Sequence, residues 1–477
     1  MKPGYHLRAL ALDFLGDIAI VFERAGHSIY LVGGSVRDRI LGRAAPDLDL
    51  ATSALPEEIS RLLRQSGGKA IVEIGSAFGT VCARFGDGQV DVTTFRSEWY
   101  PDPHSRHPQV QFGTSLRQDL ERRDFTINAI AQDISSGHLI DPFDGVGDIA
   151  RRRVRAVGRA EDRFCEDPLR MMRAIRLAAQ LDMEIDAPTR SAIAASAGRL
   201  QFISAERIRA ELEKILLSED PAGSLADLID LGLCRFVIPE LLELAETDND
   251  ERSRQKDVLS HTLRVVNGVR AHLPLRLAAL LHDIGKPATR RVRGGKVHFF
   301  RHELVGARMA RRILGRLRFD RATTEEVSSL VALHMRSNLY SRDWTDGAVR
   351  RYLREVGGHR ELLLELSRAD ITSYRHRKIR DGLARVAELE ARCERLGADG
   401  VVARMRSPLD GNDLMELLDR PPGPWIKPLK EHLLGLVLDG QLDPDDRERA
   451  AAIAVELAAP EGDPPVAPAP VGGEKSG

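Results

Sequence analysis

The chain has 477 residues, 43% of them hydrophobic, enough for real cores and a length that suggests about three domains. Seventy Lys and Arg against 71 Asp and Glu leave a formal net charge of −1, which argues against indiscriminate polyanion binding, so any nucleic-acid surface must be local. No apolar run approaches the ~20 residues of a membrane span, MKPGYHLRAL is not a secretory signal, and Cys82, Cys165, Cys234 and Cys393 form no CxxC pair, so a cytoplasmic protein with reduced cysteines and no membrane partner is expected.

Residues 1 to about 30 predict a helix, with Leu7, Leu10, Phe14, Ile18, Val21 and Phe22 at three- and four-residue steps. Next, Tyr30 to Thr52, YLVGGSVRDRILGRAAPDLDLAT, reads as strand, glycine turn, short helix, connector and second strand. Ser35 and Asp38 have the spacing of a capping box. In Asp47-Leu48-Asp49-Leu50 the period of two puts both aspartates on one strand face. Two adjacent carboxylates repel unless a cation lies between them, and Gly33-Gly34 lets backbone N–H groups approach a phosphate. The combination suggests Mg²⁺ and a nucleoside triphosphate; the alternative is an ordinary βαβ edge with a solvated Asp pair.

Pro56-Glu57-Glu58 opens another helix, and GGKAIVEIG, GTVCARF and QVDVTTF read as three short strands, so the N-terminal region is α/β in character. Asp91 projects opposite to Val90 and Val92 and is a candidate third carboxylate. Residues 97 to 118 lack periodicity and read as a long, mobile active-site loop. In DLERRDFTINAIAQDI, Arg122, Arg123, Asp124, Thr126 and Asn128 offer phosphate clamps and sugar contacts, or else a surface ion-pair motif. After the turn Asp141 to Gly145 the strands are expected to stop, and from Phe164 to about Asp220 the periodicity is helical. Two more helical regions follow, and the tail from 459 reads as disordered. Local basic patches are Arg151 to Arg155, the run Arg308, Arg311, Arg312, Arg316, Arg318 and Arg321, and SYRHRKIR from Ser373 to Arg380. Each is either an RNA surface or a solvated helix face. Aromatics at 5% disfavour a base-stacking sheet.

Taken together, LVGGSVRD, DLDLAT, RRDFTINA, DPFDG and EDPLRMMRAIRLA closely resemble the bacterial class II tRNA nucleotidyltransferase and poly(A) polymerase family. The resemblance covers roughly residues 28 to 220 in the family's order. It continues more loosely to about 455, in the HD-domain form familiar in CCA-adding enzymes of high-GC Gram-positive bacteria. It implies an α+β chain with a nucleotidyltransferase head at 1–150, a helical neck at 151–224, an HD-type helical domain at 225–385 and C-terminal tRNA-binding helices at 386–458. The implied activity is template-independent addition of C, C and A to the tRNA 3′ end from CTP and ATP. Asp47 and Asp49, with Asp91, would hold two Mg²⁺ ions; Gly33, Gly34, Ser35 and Arg37 would cradle the triphosphate; Arg123, Asp124 and Asn128 would contact ribose and phosphates. Asp167 and Arg170 match the nucleotide-recognition motif, and lie three apart on one predicted helix face, where they could read the amine and ring nitrogen that C and A share. Arg207 and Glu211 in the neck read as a structural i,i+4 pair.

His261, the pair His282-Asp283 and Asp370 follow an order that resembles HD-domain metal phosphohydrolases, with His302 and His334 between and Lys286 placed to touch a phosphate. A divalent transition ion would suit that donor set. The rival readings are a poly(A) polymerase, an enzyme adding only A, or a chain that is mainly an HD phosphohydrolase.

Overall fold

The computed structural model describes residues 4–44, 47–74, 79–86, 88–99, 109–113, 115–246, 258–294, 296–372, 376–397 and 401–458. The expected tail, and residues 100–108 and 114 of the expected active-site loop, lie outside these residues.

Helix α1 (Gly4–Arg24) buries Ile18 and Phe22 of the predicted face together with Leu15 and Ala19, while Phe14 and Val21 are half-buried. Strands β1 (Ile29–Val32) and β2 (Asp47–Thr52) pair antiparallel, joined through α2 (Gly34–Ile40), and α3 (Pro56–Gln65) follows. Strands β3 (Lys69–Ile74), β4 (Thr80–Phe85) and β5 (Gly88–Thr94) complete one side of a seven-stranded sheet. Its order is β3-β4-β5-β2-β1-β8-β9, where β8 is Ala131–Asp133 and β9 is Leu139–Ile140. Every pairing in this sheet is antiparallel except β2 with β5, which is parallel and sets Asp49 level with Asp91. Val32, Ala51, Phe95, Leu120, Ala129, Ala131 and Val157 form a buried cluster behind the sheet's functional edge.

Three local expectations are corrected. Ser35 caps nothing: α2 begins at Gly34, one residue earlier, because Gly33 at φ 70° turns the chain straight from strand into helix. The segment from 97 is not loop throughout. Strands β6 (Arg96–Trp99) and β7 (Gln109–Phe112) pair antiparallel, and α4 (Leu116–Glu121) is opened by a capping box between Ser115 and Gln118. Nor do the strands stop after Gly145. Past α5 (Gly145–Ala150), β10 (Arg153–Val154) pairs with β11 (Glu184–Ile185), and a hairpin joins β12 (Arg290–Arg293) to β13 (Lys296–Phe299). Two-residue strands are too short to show a period, whereas the hairpin carries a legible Gly294-Gly295 signal between its alternating arms.

The chain divides into two compact units, Met1–Val331 and Ala332–Gly477. In the first, the sheet is followed by α6 (Ala160–Glu166), α7 (Leu169–Leu181), α8 (Ala187–Ser196) and α9 (Ala205–Leu216). Next come α10 (Pro221–Asp230), α11 (Cys234–Val237), α12 (Glu240–Glu246), α13 (Val258–Gly268), α14 (Leu273–Leu281), α15 (Lys286–Thr289) and α16 (His302–Arg316). The second unit is helical among its described residues, and its last three helices close over Leu409, Leu414, Leu433, Val437, Leu442, Ala450 and Ala454. No helix among the described residues is long and apolar enough to cross a membrane.

Candidate active site

Strand β1 ends at Val32 and the chain enters α2 through Gly33, in a conformation that L side chains rarely adopt. A Cβ here would stand 2.8 Å from Arg123 Nη1 and 3.8 Å from Asp49 Oδ2, so the backbone angle requires glycine and any side chain would displace the Arg123 guanidinium. Beneath it, buried Ser35 accepts a hydrogen bond at 3.0 Å from the Asp49 N–H, tying β2 to α2. In-register residues of parallel neighbours present their side chains on one sheet face, which places the Asp49 and Asp91 carboxylates side by side. Gln89, two residues back, donates to Asp91 Oδ1 at 3.2 Å. Asp47 opens β2 opposite Gln89, and its side chain lies outside the described residues.

In front of this edge is a cavity of 460 Å³ whose lining includes Gly33, Gly34, Arg37, Asp49, Arg123, Asp124, Asn128, Asp167 and Arg170, so nine of the sequence-predicted residues meet there. The lining also contains Arg122, Arg173, Arg176 and Arg207, which makes seven arginines against three aspartates. Such an excess of guanidinium favours a polyanion. The Nε of Arg123 is buried without a hydrogen-bond partner, a donor held ready beside the cavity.

The arginines are held in place by a network. Arg37 Nη1 donates to Asn128 Oδ1 at 2.6 Å, and Asn128 Nδ2 donates onward to Asp124 Oδ1 at 3.1 Å. Asp124 Oδ2 accepts from Arg173 Nε and Nη2 at 2.9 and 2.6 Å, while Oδ1 also takes the Phe125 N–H. Burial alone would raise the Asp124 carboxyl, but Arg173, Asn128 and Arg170 together hold it well below the usual carboxylate range. Asp119 is likewise buried and lowered, in its case by Arg123 and Arg122. With four hydrogen bonds already accepted, Asp124 anchors Asn128 and Arg173.

The Asp167–Arg170 pair departs from the expected helix face. Asp167 is extended, at φ −143° and ψ 99°, and α7 begins after it, at Leu169. Pro168 explains this, since its ring clashes with a helical conformation at the preceding residue. Asp167 Oδ1 takes the Leu169 N–H at 3.1 Å, and Oδ2 pairs with Arg207 at 2.7 Å. Arg170 is fixed by Glu166 at 2.6 Å and by the Arg122 carbonyl at 3.0 Å. The expected Arg207–Glu211 pair is therefore absent: Glu211 is taken by Arg176 at 2.6 Å, a closer tertiary partner than the i,i+4 neighbour. Arg170, Arg173 and Arg176 recur every three residues along α7, a sequence signal for the two missed arginines.

A second cluster lies between α13, the end of α14 and the start of α16. Ligand atoms of His261, His282 and Asp283 all lie within 4.8 Å of one another, and the three residues are buried. His302 Nε2 is 3.4 Å from Asp283 Oδ1, and Lys286 Nζ is 2.6 Å from Oδ2. His282 Nδ1 faces the Ala279 carbonyl at 2.8 Å and His302 Nδ1 the Phe299 carbonyl at 3.1 Å, which turns both Nε2 atoms toward the carboxylate. Burial would raise Asp283, yet His282, His302 and Lys286 hold it well below the usual carboxylate range. Gly285 makes the close packing feasible, because a Cβ there would meet the His302 carbonyl at 2.3 Å. His334 and Asp370 belong to the second unit: His334 is buried on the helix Arg321–Asn338, and Asp370 ends the helix Arg360–Asp370, accepting from Asn338 Nδ2 at 2.7 Å.

This sheet, with Asp49 in an arginine-lined cleft and Asp91 level with it on the neighbouring strand, defines a nucleotidyltransferase head. The family model described as the poly A polymerase head domain matches residues 29–155. A model for the probable RNA- and SrmB-binding site of polymerase A matches 182–244, and the HD domain model matches 258–375. The CCA-adding enzyme of Geobacillus thermodenitrificans is 32% identical over 456 residues, covering 96% of this chain and 98% of that protein. The chain belongs to the CCA-adding enzyme family, the tRNA nucleotidyltransferases. The alignments with the CCA-adding enzymes of Enterococcus faecalis and Geobacillus kaustophilus, each 45% identical, span about half of those proteins, 52% and 55%. Among solved structures, the Bacillus stearothermophilus CCA-adding enzyme in complex with CTP superposes with a TM-score of 0.66 at 28% identity, covering 96% of this chain and 98% of that one. The Thermotoga maritima enzyme complexed with tRNA shares the fold, with a TM-score of 0.55 at 18% identity and coverage of 96% and 97%.

Proposed function

We propose that this protein adds C, C and A, without a nucleic-acid template, to the 3′ end of tRNA from CTP and ATP. The observation that carries the reading is a single cleft that brings the strand carboxylate of Asp49 together with the Asp167–Arg170–Arg207 group, joined by arginines. The hard oxygen donors of Asp49 and Asp91, level on neighbouring strands, fit Mg²⁺, and Asp47 is proposed as the further ligand. Mg²⁺ bound there would lower the pKa of the primer 3′-hydroxyl and offset charge on the triphosphate. Arg37 and Arg123 hold the phosphates while Gly33 lets the backbone approach them. The primer 3′-oxygen bonds to the α-phosphorus in line as the bond to the β-phosphate oxygen breaks, and pyrophosphate leaves.

Base choice falls to Asp167 and Arg170. A carboxylate accepts from an exocyclic amine, and a guanidinium donates to an unprotonated ring nitrogen. C and A present both groups, U lacks the amine, and the matching ring nitrogen of G carries hydrogen. Purified protein incubated with tRNAs ending before C, after C and after CC, with CTP and ATP separately and together, should restore CCA and stop. A homopolymeric A tail would overturn the reading in favour of polyadenylation.

The His261, His282, Asp283 and His302 cluster supports a second activity, hydrolysis of a phosphate ester at a divalent transition ion, with Lys286 beside the phosphate. In functional terms the chain divides into head (1–150), neck (151–224), HD region (225–385) and tRNA-binding helices (386–458), acting in the cytoplasm.

A further inference from the structure

Residues 290–316 carry nine Arg or Lys and one acid, Glu303, in a chain whose net charge is −1. They form one continuous piece, the β12–β13 hairpin running directly into α16 through Arg301. Helix α16 buries Gly306, Ala307, Met309, Ala310, Ile313 and Leu314, and turns Arg308, Arg311 and Arg312 to solvent on its other face. None of these three arginines has an ion-pair or hydrogen-bond partner among the described residues. Elsewhere the basic run at Arg151 to Arg155 is largely neutralised, with Arg151 and Arg155 on Asp148 and Arg152 on Asp182. On the hairpin, Arg293 lies 5.7 Å over the exposed Phe300 ring, which stacks on His298 at 5.3 Å. Unpaired guanidinium groups with an exposed aromatic among them match a nucleic-acid backbone and an unpaired base.

We infer that the hairpin and the exposed face of α16 form a docking surface for the phosphate backbone of tRNA, separate from the cleft that receives its 3′ end. The inference rests on the proposed tRNA substrate. It is tested with the full-length protein carrying Arg308→Ala, Arg311→Ala and Arg312→Ala together, by measuring tRNA affinity between about 50 and 200 mM salt. The expected result is an affinity loss of about tenfold or more and a salt slope shallower by about two to three, since each phosphate that an arginine no longer neutralises removes about one unit or slightly less. The corresponding triple Lys variant should restore the slope, because a phosphate responds to charge rather than to the shape of the cation. The loss should fall on KM for whole tRNA and leave KM for a short oligonucleotide ending in CC unchanged. An equal loss on the oligonucleotide, or an unchanged slope in a protein that extends tRNA normally, overturns the inference. So does an unchanged tRNA affinity accompanied by lost binding to phosphatidylserine vesicles. A wild-type protein unable to extend tRNA would instead defeat the proposed function.

Discussion

At Gly33 a single methyl group would strain the turn and displace the Arg123 guanidinium that lines the cleft. Gly33→Ala must hold alanine at φ 70° and push its Cβ into the Arg123 guanidinium. The expected outcome is a loss of about 1–2 kcal/mol of stability and a larger loss of nucleotide affinity, read by thermal unfolding and by CTP titration. Asp124 and Asp119 give the cleft its acid sensitivity. Both carboxyls are held below their ordinary range when folded. The unfolded chain therefore binds more protons in mild acid, and the stability these groups contribute is complete above a pH of about 4 and lost as pH falls below it. Asp124→Asn should lower stability at neutral pH by about 2 kcal/mol and flatten the acid limb of a urea-midpoint series. The magnitude is modest because Arg173, which it strands, is a third exposed. Asp167→Ala and Arg170→Ala should blur the choice of C and A more than they slow addition, checked by competing all four triphosphates. Equal losses with every base would count against templating by side chains.

Secondary-structure elements set where those residues stand, and here the sequence was unevenly legible. Helix α1 and the strands β1 to β5 follow from apolar spacing and glycine turns, because each is long enough to show its period. Pro168 marks the break between α6 and α7, and it separates the expected pair: Asp167 cannot share a helix face with Arg170 once a proline follows it. Tertiary partners hid the rest. Nothing local distinguishes Arg207 from an ordinary i,i+4 partner of Glu211, and only the folded chain brings it to Asp167. Pro168→Ala should allow Asp167 to turn helical and leave Arg207. The expected readout is raised misincorporation with near-normal stability, and Arg207→Ala should reproduce it.

Across the whole chain, charge and chemistry are unevenly distributed. A net charge of −1 conceals an arginine-lined cleft and a basic hairpin and helix, so the near-neutral total described neither. Motif order carried the family assignment because five ordered segments are far more specific than any one. The HD cluster was legible for the same reason, whereas Arg173 and Arg176 lie inside the motif EDPLRMMRAIRLA without the spacing alone giving them a role. The two clusters predict separable activities: Asp49→Ala should abolish nucleotide addition and spare phosphatase activity, and Asp283→Ala should do the reverse. Loss of both activities in either variant would refute two independent sites.

The parallel pairing of β2 with β5 also constrains how this head can change over time. Asp49 and Asp91 meet only because the two strands keep one register. Substitutions on either strand leave that phase intact, but inserting or deleting one residue between β4 and β5 would slide β5 and turn Asp91 to the opposite face. Length variation at that turn should therefore be tolerated in steps of two or not at all, so that the edge can diverge readily in composition while being nearly frozen in spacing.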